Sequence, residues 1–72
     1  MNILIVDDHA IVRAGLRRLL KGLFEGEVLE AATGREALAL ARTRSLDLVL
    51  LDMNLPELGG LELLSRLATV AP

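Results

Sequence analysis

Two kinds of apolar pattern alternate along the chain. Unbroken runs, Ile3-Leu4-Ile5-Val6 and Leu48-Val49-Leu50-Leu51, each end in an aspartate. Apolar runs of this length, bounded by turn chemistry, predict strands buried on both faces. The first strand is read over residues 1–6. Between the runs, apolar residues recur at helical spacing. Val12, Leu16, Leu19, Leu20 and Leu23 follow the i, i+3, i+4 rule and predict a helix from a cap at Asp8 or His9 to about Lys21, with these residues as its core face. Gly22 and Gly26 then break the pattern, with Phe24 between them as a core anchor.

Glu27-Val28-Leu29-Glu30-Ala31 reads as a short strand whose terminal charges suit a sheet edge. Thr33-Gly34-Arg35-Glu36 is a capping box that opens a second helix, with Ala37, Leu38, Leu40 and Ala41 on its apolar side and residues 42–45 as its exit loop. After the Asp52 strand comes a loop over residues 53–60. Leu61, Leu63, Leu64, Leu67 and Ala68 then predict a third helix. The order is βαβαβα. Right-handed crossovers, and the need to cover both faces of the apolar strands, give a parallel sheet ordered 2-1-3, with the first helix on one face and the other two opposite. In that order strand three is an edge without charge or proline to protect it, so something should cover its open side.

Seventy-two residues make one domain of marginal size. The chain is 53% hydrophobic, which argues against disorder. One Phe is the only aromatic residue, so base-stacking platforms are absent. A net charge of -2 does not favour nucleic-acid contact. The absence of cysteine fits a reducing cytoplasm, no signal peptide is read ahead of the first strand, and the apolar runs are too short to span a bilayer. The basic residues of the first helix, Arg13, Arg17, Arg18 and Lys21, read as a solvated face, with a partner-docking patch as the lesser reading.

The 2-1-3 order has a chemical consequence. Asp7, Asp8 and Asp52 converge on the carboxyl edge, at the switch point where open α/β sheets place their ligands. Three crowded carboxylates repel, and at least one pKa should rise unless a cation sits among them. Oxygen ligands with room for water favour a hard ion, Mg²⁺ before Ca²⁺. His9 adjoins two of these carboxylates. It reads as a cap or a residue of the site rim, with its protonated form favoured.

Ile3-Leu4-Ile5-Val6-Asp7-Asp8-His9, Ala32-Thr33-Gly34-Arg35-Glu36-Ala37-Leu38 and Asp47-Leu48-Val49-Leu50-Leu51-Asp52-Met53-Asn54-Leu55-Pro56, with Gly60, resemble a bacterial response-regulator receiver domain. The Asp-Asp-His opening and the Arg-rich helix are similar to the subfamily whose output is a helix-turn-helix transcription factor. The resemblance implies a flavodoxin-like fold, of which receiver domains are a standard example. It implies that Asp52 is the phosphoacceptor for a sensor histidine kinase. Asp8 would bind Mg²⁺ directly and Asp7 would help position it. The backbone carbonyl of Asn54 would complete the protein's ligands, with Asp52 itself beside the ion. It implies a cytoplasmic signalling protein that is not an enzyme and that controls transcription.

Residues 1–72 match three of the family's five βα units, so a truncated receiver domain is expected. The family's switch Ser/Thr and phosphate-binding Lys follow its fourth and fifth strands, and Lys21 is the only lysine here. We expect two copies to pair along strand three into a six-stranded sheet. The main rival is an assembly module without phosphotransfer. A phosphohydrolase is disfavoured because Asn54 stands where that class has a second acid, and a dinucleotide site because no Gly-rich turn follows the first strand.

Overall fold

Strand β1 (Asn2–Val6) is the centre of the fold, and its alternation sorts the core into two halves. In this computed structural model, residues 1–52 are described, together with Glu62, Ser65 and Arg66. The remaining elements are α1 (Ala10–Leu23), β2 (Glu27–Ala31), α2 (Gly34–Thr43) and β3 (Leu48–Leu51). Successive strand residues point to opposite faces. Ile3 and Ile5 therefore pack with Leu20 and Val28, and with Leu16, Leu48 and Leu50, on the α1 side. Leu4 and Val6 pack with Ala31, Ala37, Leu38 and Ala41 on the α2 side. Ile3, Leu4, Ile5 and Val6 are at most 1% exposed, as a strand covered on both faces requires.

The sheet is parallel in the predicted order, β2-β1-β3. Its register pairs Ile3 with Val28 and Leu48, and Val6 with Ala31 and Leu51. The ladder runs one residue past the strand ends. The Asp7 N–H donates to the Ala31 carbonyl at 3.1 Å, and the Asp52 N–H donates to the Val6 carbonyl at 2.9 Å. These two bonds fix both aspartates at the same edge. At the opposite end, the backbone N–H of Asn2 donates to Asp47 Oδ2 at 2.6 Å.

Several expectations need correcting. β3 is half-buried along its whole length rather than buried on both faces, because it is a sheet edge. The α1 stripe is only partly core: Leu20 is buried and Leu16 partly buried, whereas Val12, Leu19 and Leu23 are exposed. The helix sits over β1 and β2, so only the side chains aimed at those strands are covered. Phe24 is also exposed, being carried past the helix end rather than into the sheet. Gly22 lies inside α1, and Gly26 alone turns the chain, at φ +122°, where a Cβ would collide with the Met1 carbonyl oxygen. His9 holds the N-cap position of α1, but no side chain caps that helix. The cap of α2 is as expected, with Thr33 Oγ1 accepting from the Glu36 N–H at 3.2 Å. Residues 42 and 43 extend α2, and Arg44 pairs with Glu27 at 3.0 Å.

Glu62, Ser65 and Arg66 are helical, with Arg66 Nη2 donating to Glu62 Oε1 at 3.1 Å. The apolar positions predicted for the third helix, and the loop before it, lie outside the described residues.

Candidate functional site

The carboxyl edge of β1 and β3 carries the site. Asp7 leaves β1 and Asp52 leaves β3 side by side, while Asp8 and His9 form the turn into α1. Asp7, Asp8, His9 and Asp52 each offer a ligand atom, and these atoms lie within 4.8 Å of one another. The three aspartates predicted to converge therefore do so, and His9 joins them. Asn54 lies outside the described residues. The Asp7 and Asp52 side chains are 14% and 19% exposed, so both are largely shielded while Asp8 stands more open at 31%. Beneath the carboxylates a cavity of about 220 Å³ runs between Leu16 of α1 and Ile5 and Leu50 of the sheet.

His9 sits among the acids. Its Nδ1 lies 2.9 Å from Asp7 Oδ1, 2.9 Å from Asp8 Oδ1 and 4.0 Å from Asp52 Oδ2. Its backbone N–H donates to Asp7 Oδ1 at 2.8 Å. The crowding predicts that at least one carboxylate pKa rises unless a cation sits among them. Asp7 goes the other way: the His9 backbone N–H, helped by the ring and by Arg13, outweighs desolvation and holds Asp7 below the usual carboxylate value. Conversely, the bond to Asp7 and the charge of Asp8 raise the His9 pKa. The rim reading of His9 thus describes its side chain.

Sequence reasoning missed Arg13 and Glu30. Arg13 Nη1 donates to the Asp7 carbonyl at 2.7 Å, and its Nε donates to Glu30 Oε1 at 3.3 Å. Arg17 Nη1 donates to Glu30 Oε2 at 2.8 Å. Arg17 first, then Arg13, hold the Glu30 carboxyl below its ordinary value. Arg13 is therefore drawn out of the solvated face, while Arg17, Arg18 and Lys21 remain exposed as expected. The signal was available in the strand: Glu30 lies two residues after Val28, hence on the face that α1 covers, where a carboxylate needs a partner.

Fold and site together define a flavodoxin-like α/β domain with an acidic cluster at its switch point. A family model described as the response regulator receiver domain matches residues 3–72. The response regulator UvrY of Escherichia coli (strain K12) is 45% identical over 69 residues, which are 94% of this chain and 32% of that protein. The transcriptional regulatory protein YhcZ of Bacillus subtilis (strain 168) is 43% identical over 67 residues, covering 92% of this chain and 31% of that one. Among solved structures, the chemotaxis protein CheY4 of Vibrio cholerae superposes with a TM-score of 0.88 at 34% identity, over 94% of this chain and 56% of that one. The chain belongs to the response regulator receiver domain family. It spans about a third of the length of the curated relatives it matches.

Proposed function

We propose that Asp52 accepts a phosphoryl group from a phosphohistidine of a sensor histidine kinase, with Mg²⁺ held by Asp7, Asp8, Asp52 and the backbone carbonyl of Asn54. The observation that carries this reading is the meeting of Asp7, Asp8 and Asp52 within 4.8 Å at the carboxyl edge of the sheet. Three carboxylates are a hard oxygen donor set, which fits Mg²⁺. Mg²⁺, when bound, neutralises charge between carboxylate and phosphoryl oxygens.

The chain's own residues do the rest. Phosphoryl transfer asks mainly for positioning and charge. The ladder bond to Val6 holds the Asp52 backbone at the sheet edge, where its side chain is shielded but still 19% exposed. A carboxylate oxygen of Asp52 attacks phosphorus as the donor's P–N bond breaks. The product is an acyl phosphate, and the donor imidazole regains its proton from solvent. Asp7 stays ionised because His9 donates to it.

The same reading makes the chain a phosphoacceptor rather than an enzyme, acting in the cytoplasm on a transcriptional output carried by the longer regulators. None of the described helices is long and apolar enough to cross a membrane. The net charge of -2, with Arg13 and Arg17 engaged by Glu30, supports a segment without direct nucleic-acid contact. We further propose that two copies pair antiparallel along β3, an apolar edge without charge or proline, giving the order 2-1-3-3′-1′-2′.

Phosphoimidazole, a small P–N donor, tests the chemistry. Hydroxylamine-labile phosphate on the protein is expected. Stable phosphate, or none on folded protein with Mg²⁺, would overturn the reading.

A further inference from the structure

Arg13 of α1 reaches the turn that carries Asp7 and Asp8, and its role there rests on the metal-dependent function proposed for the site. We propose that Arg13, anchored by Glu30, is a positioning residue that fixes the Asp7-Asp8-His9 turn through the Asp7 carbonyl and thereby sets the affinity of the acidic cluster for Mg²⁺. The turn carries two of the three carboxylates, yet it leaves the sheet at Asp7 and enters α1 at Ala10 with no side-chain cap on that helix. What ties its carbonyl side down is Arg13 Nη1, at 2.7 Å from the Asp7 oxygen. The guanidinium is itself held, since its side chain is 18% exposed and Glu30 Oε1 accepts from its Nε. Arg17 shares the other Glu30 oxygen, so the carboxylate that anchors Arg13 is fixed in turn to β2 and α1. A planar fork that bonds a carbonyl with one nitrogen and a carboxylate with another is a task for arginine rather than lysine. Groups that orient the ligands of a metal are commonly worth about 10-fold or more in affinity.

The sign of the effect separates positioning from charge. Arg13 is a cation close to a cation site, so simple Coulomb repulsion predicts that removing it tightens Mg²⁺ binding. Positioning predicts the opposite. The experiment is calorimetric titration with Mg²⁺ of wild type, Arg13→Met, Arg13→Lys and Arg18→Met. Backbone amide shifts of Asp8 and His9 are recorded on the metal-free proteins. Arg18 is an exposed residue of the same helix and controls for loss of charge. We expect about 10-fold weaker binding by Arg13→Met, with displaced Asp8 and His9 amides. We expect a smaller loss in Arg13→Lys and wild-type behaviour in Arg18→Met. Equal or tighter binding by Arg13→Met, with those amides unmoved, would overturn the proposal. Should Arg13→Met fail to fold, Arg13→Lys decides: wild-type affinity and unmoved amides overturn it. No Mg²⁺ binding by wild type would overturn the proposed function and the affinity claim together, while the amide shifts would still decide whether Arg13 holds the turn.

Discussion

Asp7 Oδ1 faces both the backbone N–H and the ring Nδ1 of His9, at 2.8 and 2.9 Å. One carboxylate oxygen thus closes the turn into α1 and holds an imidazole against the cluster. The two pKa directions make this pair pH-sensitive. His9 is raised, so its contribution is full below the ordinary imidazole value of about 6.5 and is lost as pH rises through its folded value. Asp7 is lowered, so its contribution is full above the ordinary value of about 3.9 and is lost as pH falls through its folded value. In chelator, the melting-temperature difference between wild type and His9→Gln should therefore be greatest between about pH 4 and 6.5 and shrink on either side. A difference that grows from pH 7 to 9 would contradict the pairing.

The contrast between a buried strand leucine and an exposed leucine of α1 predicts unequal costs for the same change. Leu4 is fully buried beneath α2, and Leu4→Ala should cost about 2–5 kcal/mol in urea denaturation. Leu23 is 65% exposed, and Leu23→Ala should stay within about 0.5 kcal/mol. Similar losses at the two positions would mean that Leu23 is covered in solution.

The sheet was legible in the sequence because β1 and β3 are unbroken apolar runs ending in aspartate. The parallel order then placed Asp7, Asp8 and Asp52 together without further information. The α1 surface was less legible for a geometric reason. Helical periodicity shows which residues share a stripe, but not how much of that stripe the sheet beneath is wide enough to cover. Leu20 packs with Ile3, Ile5 and Val28, while Val12 and Leu19 on the same stripe are exposed. The Arg13–Glu30 bond joins residues 17 positions apart and became visible only with α1 laid across β2.

The edge of β3 yields a prediction about assembly. Its residues Leu48–Leu51 are all half-buried apolar side chains, and β1 is its only strand neighbour among the described residues. Sedimentation equilibrium at micromolar concentration should show a dimer. A monodisperse monomer at those concentrations would remove the proposed pairing while leaving the acidic site untouched.

The central claim, that Asp52 is the acceptor in a metal-assisted phosphoryl transfer, is tested most directly by intact mass. The folded protein would be incubated with a small-molecule phosphodonor and Mg²⁺, beside Asp52→Asn and a wild-type sample in chelator. A single phosphoryl adduct on wild type, absent from both controls, is the expected result. An adduct that persists in Asp52→Asn, or none on folded wild type, would contradict the account; the second outcome would leave the chain as an assembly module built on the same fold.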